Sequence, residues 1–426
     1  MSTDLRWPAA IAACGVVWYA SESLRHRREQ GSGYELHGKE LDVGSEGFLR
    51  AVEAITSSPI ARGNEAEIFI NGDRIFPALI ETIAGARTSV NLLTYIYWHG
   101  EIAAAVADAA CERARAGVEV NVLLDAVGSA KMGGELVGRM REAGVTVALF
   151  RPPKPYAIRR LNNRTHRKLL IVDGEVGMTG GVGIADEWSG DAQDPDHWRD
   201  THLRVRGPVV RGLQGAFAEN WLEATGDVLV GSDYLPELRP IDGGCAMQLV
   251  RSSAGVGDTN IEALYFLAIA SARERLNLTA AYFVPRPAFI EALCDAARRG
   301  VDVRLLVPGE HMDKSLVRIA GRGTYERLLE CGVRIWEFGP TMLHAKALTI
   351  DARWASVGSV NFDNRSFQLQ DEATLCVACA GFAAELDDRF ARDLALSEEI
   401  DERRWKGRSL VAGAGERILK LVRREL

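Results

Sequence analysis

A short motif occurs twice in this chain and constrains its fold more than any other feature. The first copy, HRKLLIVDGEVGMTGG, runs from His166 to Gly181, and the second, HAKALTIDARWASVGS, runs from His344 to Ser359. Each copy places a Lys two residues after its His and an Asp five residues after that Lys. Because the whole chain has only 8 His, two copies with matching continuations are not a coincidence. The duplicated motif therefore predicts a duplicated fold.

The residue types in the motif suit phosphate chemistry. Both copies lie in apolar runs that predict strands, and side chains two residues apart share one face of a strand. His166 and Lys168 therefore point the same way, as do His344 and Lys346. An imidazole can attack phosphorus or carry a proton near neutral pH, and an ammonium group neutralises phosphate oxygens. The Gly-Gly or Gly-Ser pair that ends each copy predicts a close approach of the backbone to an anion.

The rest of the chain repeats around the two motifs. Strand-like and helical patterns alternate, which is typical of α/β proteins. Strands are predicted over 90–98, 118–125, 145–150, 276–284, 301–309 and 333–338, and helices over 102–116, 135–143, 260–275, 287–299 and 323–331. The prediction is an α/β protein with two pseudo-symmetric lobes, 63–240 and 241–402. Each lobe has a mixed sheet flanked by helices and gives one His-Lys pair to a shared cleft.

Acidic residues follow the two motifs at matching positions. When the halves are aligned, Asp200 in RDTHLRV lies opposite Glu372 in DEATLCV. A carboxylate on a neighbouring strand can hold the second ring nitrogen of a catalytic imidazole, so both residues are predicted to orient a histidine. The Asp inside each motif, Asp173 or Asp351, does not share the strand parity of its His and Lys. It is expected to point away from the site.

Both ends of the chain have patterns suited to a membrane surface. Residues 7–20, WPAAIAACGVVWYA, form an uncharged, mostly apolar run that is followed by the basic cluster of residues 25–28. The run is shorter than a membrane span requires. Residues 1–30 are therefore predicted to form a short anchor or interfacial helix, with a helix packed on the body as the alternative. Residues 31–62 are predicted to be a linker, and residues 403–426 a basic amphipathic tail or a plain surface helix.

Charge and cysteine content narrow the range of functions. The net charge of −7 argues against general coating of nucleic acid, although residues 151–172 contain seven Lys or Arg and no acid. The 7 Cys are odd in number and lie in apolar segments. They are predicted to be buried free thiols rather than a disulfide framework. No His, Cys and carboxylate cluster has the spacing of metal ligands.

The duplicated motif resembles the signature of the phospholipase D superfamily, and the resemblance extends from about residue 68 to the end. Within it, the chain looks most like bacterial cardiolipin synthases, on the segments NRTHRKLLIVDG, GGVGIADEW, WRDTHLRVRGP, MLHAKALTID and VGSVNFDNRSF. The resemblance implies a two-step phosphodiester exchange through a phosphohistidine, with no metal ion and no cofactor. It implies a catalytic set of His166, Lys168, Asp173, His344, Lys346 and Asp351, and phosphate contacts from Gly181, Ser359 and Asn361. His166 would be the nucleophile and His344 the general acid, although the pseudo-symmetry leaves the reverse open.

Two features depart from the family pattern. Gly183 stands where the family usually has Asn, so one side of the phosphate pocket lacks an amide. The two N-terminal membrane helices that are common in the family are reduced to the one short segment of residues 7–20. The first departure predicts an asymmetric site. The second weakens the case for integral membrane insertion but not the case for the chemistry.

The resemblance to cardiolipin synthases, together with the membrane-surface patterns at both ends of the chain, favours the synthesis of cardiolipin from two phosphatidylglycerol molecules. The predicted partners are phosphatidylglycerol and an anionic membrane surface; nucleic acid is not expected, and the oligomeric state is left open. The predicted location is the bacterial cytoplasmic membrane, with the active site on the cytoplasmic side or the protein bound peripherally. The candidates to line an apolar entrance, with ordinary core packing as the alternative, are Tyr95, Tyr97, Trp98, Tyr282 and Phe283. The competing functions are a hydrolytic phospholipase D, a nuclease that uses the basic stretch, and a membrane-binding scaffold without activity.

Overall fold

The computed structural model of the protein describes residues 34–38, 41–153, 162–254 and 258–406. Residues 34–37 contain no helix or strand, and the chain from Gly38 onward forms one compact unit. The predicted N-terminal anchor and the tail beyond residue 406 lie outside the described residues. Within the described ranges, no helix has the length and apolar character needed to cross a membrane.

The first half of the fold alternates strands with helices and then continues as a strand meander. The strands Ser89–Thr94 and Glu119–Asp125 are buried along nearly their whole length, as expected for strands covered on both faces. The elements of this half are α1 (Glu46–Thr56), β1 (Ala61–Ile70), α2 (Gly72–Ala84), β2 (Ser89–Thr94), α3 (Glu101–Arg115), β3 (Glu119–Asp125), α4 (Gly134–Glu142), β4 (Thr146–Phe150), β5 (Arg164–Thr165), β6 (Leu169–Val172), β7 (Val176–Gly180), the 3₁₀ turn Asp186–Trp188, β8 (Thr201–Arg206) and α5 (Val210–Thr225).

The second half repeats this plan, with two short helices where the first half has only α4. Its elements are β9 (Cys245–Ser252), α6 (Asn260–Ala270), β10 (Arg275–Thr279), α7 (Pro287–Arg298), β11 (Asp302–Pro308), α8 (Ser315–Arg322), α9 (Tyr325–Glu330), β12 (Arg334–Phe338), β13 (Ala347–Ile350), β14 (Trp354–Gly358), α10 (Asn364–Gln368), β15 (Gln370–Ala378), α11 (Ala380–Ala395), β16 (Ser397–Glu399) and α12 (Glu402–Lys406).

The two halves have the same strand order. In the first half it is β4-β3-β2-β6-β7-β8-β1, and in the second it is β12-β11-β10-β13-β14-β15-β9, with β16 beyond β12. In each half three strands are parallel and the others pair antiparallel. Strands β1 and β9 pair antiparallel and join the halves into one continuous sheet. The predicted α/β fold with two pseudo-symmetric, mixed-sheet lobes is therefore confirmed.

A shared hydrophobic core lies between the two halves. Phe217 and Trp221 of α5 pack there with Phe382 and Leu386 of α11, against strands of both halves. Each half also has its own core on the other side of its sheet. Burial of apolar surface contributes roughly 25 cal/mol per Å², so a core built from both halves fixes their relative position.

The predicted linker, residues 31–62, is wrong over much of its length. Ser45 caps α1 by accepting a hydrogen bond from the N–H of Phe48 at 3.2 Å. Phe48 and Val52 of this helix are buried in the core of the second half. The boundary of the predicted tail also shifts, because Trp405 is buried and its ring lies 5.1 Å from that of Tyr325. Residues 403–406 therefore belong to the folded body.

The prediction of free thiols is wrong for four of the cysteines. Disulfide bonds join Cys245 to Cys379 and Cys294 to Cys331. Both bonds lie within the second half. Cys111 and Cys376 are buried free thiols, as predicted.

Candidate active site

Each motif histidine lies just before a central strand, and its backbone is bonded to the opposite half. His166 precedes β6 and His344 precedes β13. The N–H of His166 donates to the carbonyl oxygen of Asp371 at 2.8 Å, and the N–H of His344 donates to that of Arg199 at 2.7 Å. Each acceptor directly precedes one of the two predicted orienting carboxylates in the sequence. These crossed bonds place each histidine beside the carboxylate of the other half.

Both histidines open onto one cleft with a volume of about 560 Å³. The walls of the cleft come from both halves, as the duplicated motif predicted. Besides His166, Lys168 and His344, the wall includes the aromatic residues Tyr95, Trp98, Trp188, Trp198 and Tyr282, the basic residues Lys131, Lys314 and Arg365, and the polar residues Asp313, Asn361 and Asp363.

The imidazole of His166 is held by residues of the second half. Its Nδ1 lies 3.0 Å from the carbonyl oxygen of Ser359 and 3.1 Å from Oε1 of Glu372. A carbonyl oxygen can only accept a hydrogen bond, so Nδ1 carries the proton and Nε2 keeps its lone pair. Burial, with the charges of Lys168 and Lys346, holds the pKa of His166 well below its usual range. The ring is therefore neutral, with a free nitrogen that can act as a nucleophile.

The imidazole of His344 is held by the first half. Its Nδ1 donates to Oδ2 of Asp200 at 2.7 Å, and the same oxygen accepts the indole N–H of Trp188 at 2.9 Å. Burial lowers the pKa of His344 to about 3, and the charge of Lys346 adds to this, although Asp200 opposes both. Asp200 and Glu372 therefore each contact a motif histidine, and the structure shows that each contacts the histidine of the other half. Trp188 was not predicted from the sequence.

The two motif lysines are buried close to the histidines. Nζ of Lys168 donates to the carbonyl oxygen of His166 at 2.8 Å, and Nζ of Lys346 lies 3.1 Å from Nε2 of His344. Burial lowers the pKa of Lys168 to about 7, helped by the charge of Lys346. Burial also lowers the pKa of Lys346 to about 8. An anion in the cleft would stabilise the charged form of both lysines.

The two orienting carboxyl groups have different ionisation. Burial raises the pKa of Glu372 to about 7, against the charge of Lys168 and the hydroxyl of Ser359. Burial would also raise the pKa of Asp200, but the charge and hydrogen bond of His344 outweigh it and hold that pKa below its usual range. At neutral pH, Asp200 is fully ionised whereas Glu372 is partly protonated. The site is therefore electrostatically asymmetric.

Two of the three predicted phosphate contacts are already engaged within the protein. The N–H of Gly181 donates to Thr201, and a Cβ at this position would lie 2.2 Å from Oδ1 of Asp200. The N–H of Ser359 donates to Ala373, and its hydroxyl donates to Glu372. Both residues support the orienting carboxylates, and direct contact of either with a phosphate stays a prediction.

The third predicted phosphate contact, Asn361, lines the cleft. Its side chain is buried, and its Oδ1 has no hydrogen-bond partner among the described residues. At the equivalent position of the first half, a Cβ on Gly183 would lie 3.1 Å from the ring of Trp188. The indole therefore occupies the space that an amide side chain would need. The asymmetry that the sequence predicted has a physical cause in this tryptophan.

The motif aspartates lie at the far end of the strands, away from the cleft. Asp173 accepts hydrogen bonds from the N–H groups of Arg87, Thr88 and Ser89 at 2.8–3.0 Å. Asp351 accepts the equivalent three from residues 273–275 at 2.8–3.0 Å. Each carboxylate thus fixes the loop that enters β2 or β10. Neither contacts the histidines, in agreement with the parity of the motif but not with a catalytic role.

The aromatic candidates divide between cleft and core. Tyr95, Trp98 and Tyr282 line the cleft. Tyr97 and Phe283 are buried in the cores of the first and second half. The sequence missed Trp198, whose ring centre lies 5.5 Å from that of His344. It also missed Asp363, a buried cleft residue whose pKa is raised by burial to about 6.

Two of the described basic residues around the first motif, Arg164 and Arg167, are buried and do not line the cleft. Arg164 is buried and its Nε donates to Asp125 at 2.9 Å. Arg167 is buried and donates to the carbonyl oxygens of Ala216, Ser252 and Glu372 at 2.8–3.2 Å. Neither guanidinium group faces solvent, and that of Arg167 ties the two halves together. Residues 154–161 of the same stretch lie outside the described residues.

No cation site is evident in the part of the chain that the structure describes. Among those residues, no group of three or more His, Cys, Asp or Glu is arranged to hold a metal ion.

Comparison with solved structures shows where this fold occurs. The crystal structure of phosphatidylserine synthase from Haemophilus influenzae Rd KW20 matches 89% of this chain and 100% of its own, with a TM-score of 0.67 and 13% identity. The crystal structure of polyphosphate kinase from Porphyromonas gingivalis matches 78% of this chain and 50% of its own, with a TM-score of 0.51 and 12% identity. At these identities the likeness concerns the fold alone.

Comparison of sequences identifies the family. The family described as "Cardiolipin synthase, PLD-like domain" matches residues 79–191 and 265–394. A cardiolipin synthase of Geobacillus sp. (strain WCH70) is 35% identical over 88% of this chain and 75% of its own. Cardiolipin synthase A of Pseudomonas fluorescens (strain SBW25) is 35% identical over 88% of this chain and 78% of its own. The resemblance noted from the motifs is thereby confirmed, and the chain belongs to the cardiolipin synthase family of phospholipase D-like proteins.

Proposed function

We propose that this protein is a phosphatidyl transferase that makes cardiolipin from two phosphatidylglycerol molecules and releases glycerol. The observation that carries the proposal is the pair of crossed histidine–carboxylate contacts in one cleft, His166 with Glu372 and His344 with Asp200. This arrangement supplies one imidazole for attack and a second for proton transfer on the same phosphate. Relatives named cardiolipin synthases support the choice of lipid substrate.

In the first step, Nε2 of His166 attacks the phosphorus of the donor lipid. The proton on Nδ1, held by Ser359 and Glu372, keeps the Nε2 lone pair available. The P–O bond to the headgroup glycerol breaks, and Nε2 of His344 gives that oxygen a proton. Burial holds the pKa of His344 at about 3 in the protein alone, and the negative charge of the bound phosphodiester raises that pKa so that Nε2 can be protonated. Ionised Asp200, 2.7 Å away, stabilises the imidazolium that this step requires. The products are a phosphohistidine and free glycerol.

In the second step, the roles of His344 reverse. Its neutral ring removes the proton from a hydroxyl of the acceptor lipid, whose oxygen attacks phosphorus as the P–N bond to His166 breaks. Lys168 and Lys346 neutralise the phosphate oxygens in both steps, and Asn361 is the polar side chain in position to donate to them. Lys168 and Lys346 supply the positive charge from the chain itself.

Hydrolysis is the competing outcome, since water can replace the acceptor alcohol at the phosphohistidine. The aromatic walls formed by Tyr95, Trp98, Trp188, Trp198 and Tyr282 favour a lipid alcohol over water. A nuclease is disfavoured because Arg164 and Arg167 are buried in contacts within the protein.

We further propose that the enzyme acts at the surface of the bacterial cytoplasmic membrane, with the predicted anionic surface as its partner. Its lipid substrate resides in a membrane, and the relatives above are bacterial proteins. The basic cluster at residues 25–28 favours an active site on the cytoplasmic side, because Lys and Arg are enriched on that side of a membrane. Binding to vesicles with and without phosphatidylglycerol measures this attachment.

The experiment that tests the function gives the purified protein phosphatidylglycerol in mixed detergent micelles and identifies the products. Cardiolipin and glycerol in near-equal amounts, with little phosphatidic acid, are expected. Dominant phosphatidic acid at high phosphatidylglycerol density would make the enzyme a hydrolase, and cleavage of single-stranded DNA without lipid turnover would make it a nuclease.

The histidine roles are tested separately with His166→Ala and His344→Ala. Both variants should lose turnover, and only His344→Ala should retain the ability to form a phosphohistidine from labelled donor. An adduct trapped on His344 in the His166→Ala protein would reverse the assignment of the two roles.

A further inference from the structure

Two exposed lysines stand at equivalent positions of the two halves on the rim of the cleft. Lys131 follows β3 and Lys314 follows β11, and both line the cleft. Nζ of Lys131 lies 3.9 Å from the ring centre of Trp98, and Nζ of Lys314 lies 4.6 Å from that of Tyr282. A cation over an aromatic face is held in place without being neutralised. The duplication has thus placed one positive charge on each rim.

Neither rim lysine forms an ion pair with a described residue. Among the described residues, no carboxylate oxygen lies within 4.0 Å of either ammonium group. By contrast, the buried Lys168 and Lys346 lie beside the histidines, where the reacting phosphate must be. That phosphate carries one negative charge, which the buried pair already matches. The rim charges are therefore available for a second anion.

The two rim lysines differ in their relation to the histidines. The ring of Tyr282, which lies under the ammonium group of Lys314, has its centre 6.3 Å from that of His344. The charge of Lys314 also helps to lower the pKa of His166. Lys314 therefore lies over the reacting centre. Lys131 is further out, because two rings, those of Trp98 and Trp188, separate it from His344.

Lys131 also borders a second space. Together with Trp98 it lines both the cleft and an adjoining cavity of about 380 Å³. The acidic residues Asp186, Glu187 and Asp196 also line that cavity. Those groups repel a phosphate and accept hydrogen bonds from hydroxyl groups, so a phosphate that enters from this side would stop at Lys131.

We propose that Lys131 binds the phosphodiester of the acceptor lipid. The proposal rests on the function above, in which the acceptor is itself a phosphatidylglycerol and carries its own negative charge. Attack in line with the P–N bond of His166 brings the acceptor hydroxyl in from the side of His344, which is the side of Trp98, Trp188 and Lys131. A three-carbon glycerol bridge then separates the acceptor phosphate from the reacting one and places it beyond the buried lysines.

The group transfer itself is unchanged by this contact. The acceptor oxygen bonds to phosphorus, the P–N bond to His166 breaks, and the hydroxyl proton passes to Nε2 of His344. Lys131 touches only the second phosphate, so it selects an acceptor that carries a phosphodiester over water or a neutral alcohol. It is a specificity-determining residue and not part of the bond-making machinery.

The test compares two soluble acceptors that differ in charge. Acyl-labelled phosphatidylglycerol in micelles is the donor, and the acceptors are glycerophosphoglycerol, which has a phosphodiester, and 1,3-propanediol, which has none. In Lys131→Gln, the ratio of kcat/KM for the charged acceptor to that for the neutral one should fall roughly three- to tenfold, the range expected from the net contribution of one hydrogen bond at an exposed position. Lys131→Arg should restore the ratio, and Arg298→Gln, an exposed ion-pair residue outside the cleft, should leave it unchanged.

The outcomes separate this inference from the proposed function. If the wild-type enzyme transfers to neither acceptor and releases only phosphatidic acid, the proposed function fails before any variant is compared. If the wild-type enzyme transfers to both but Lys131→Gln leaves the ratio unchanged, or lowers both rates alike, the assignment of Lys131 is wrong. Selectivity lost in Lys314→Gln but not in Lys131→Gln would overturn it as well.

Discussion

Replacing the two orienting carboxylates should not have equal effects. Asp200→Asn and Glu372→Gln each remove one ionisable group from a buried pair with a histidine. In a symmetric site the two losses would match. The structure predicts a larger loss for Asp200→Asn, because the two carboxylates differ in charge and in what else holds each imidazole.

The magnitude for Asp200→Asn follows from its contacts. Oδ2 accepts from both His344 and Trp188, and Oδ1 accepts from the N–H of Thr201 at 2.7 Å. An amide must turn its NH₂ toward one of these donors, and the cheaper choice leaves only Thr201 unpaired. The hydrogen bond to His344 then survives, but the negative charge that stabilises the imidazolium is lost. A rate loss of roughly 10²–10⁴ is expected, which corresponds to about 3–5 kcal/mol in the barrier.

Glu372→Gln should lose less, about tenfold. The pKa of Glu372 is raised by burial to about 7, so near pH 7 much of its charge is already absent. The carbonyl oxygen of Ser359 also accepts the Nδ1 proton of His166, so the tautomer survives the substitution.

The assay measures kcat for cardiolipin formation in mixed micelles at pH 7, with thermal unfolding of each variant as the control for folding. If Glu372→Gln loses as much activity as Asp200→Asn, and both unfold near the wild-type temperature, the argument from charge and tautomer is refuted.

Three further predictions follow from the same contacts. Because the pKa of Lys168 is lowered to about 7, its charge is lost as pH rises, and kcat/KM should fall above about pH 7. A bound phosphate raises that pKa, so kcat should stay constant to higher pH than kcat/KM does. If Lys168 is the source of this difference between the two pH profiles, Lys168→Arg should remove it. Asp173→Ala leaves three backbone N–H groups without their acceptor and should lower the free energy of unfolding by about 2–4 kcal/mol. Activity per folded molecule, measured at low temperature, should change little. A large loss of kcat in the folded variant would show that Asp173 has a catalytic role. Since Lys168 and Lys346 supply the positive charge in the proposed mechanism, turnover in detergent should survive exhaustive EDTA treatment. A strict requirement for a divalent ion would contradict the metal-free mechanism.

Much of the fold could be predicted because its signals are local. The helix predicted over 102–116 is observed as Glu101–Arg115, and the strand predicted over 333–338 as Arg334–Phe338. Apolar periodicity and Gly at the helix ends set such boundaries within a residue or two. α1 was missed although Ser45 caps it, because its apolar face is short and lies in a Gly- and Ser-containing stretch.

Site residues could be predicted where aligning the two halves gave a position an equivalent in the other half. Aligning the halves identified Asp200 and Glu372, and each contacts a motif histidine, although the alignment did not show that the contacts cross between the halves. The duplication could not show Trp188, because its equivalent, Ser366, is of a different type and size. Nor could the duplication show that the backbone N–H groups of Gly181 and Ser359 already donate hydrogen bonds within the protein, since their acceptors lie in the neighbouring strands β8 and β15. Contacts between distant segments carry no local sequence signal.

The crossed contacts explain how a duplicated fold can have a single, asymmetric site. The His166 imidazole takes its carboxylate and its carbonyl acceptor from the second half, and the His344 imidazole takes its carboxylate from the first. Neither half alone can orient its own imidazole, so the site exists only where the halves meet. Substitutions in one half therefore change the environment of the histidine in the other. Differences at equivalent positions, such as Trp188 beside Asp200 and Ser366 beside Glu372, then give the two histidines different surroundings, and so allow two copies of one motif to perform different steps of the reaction.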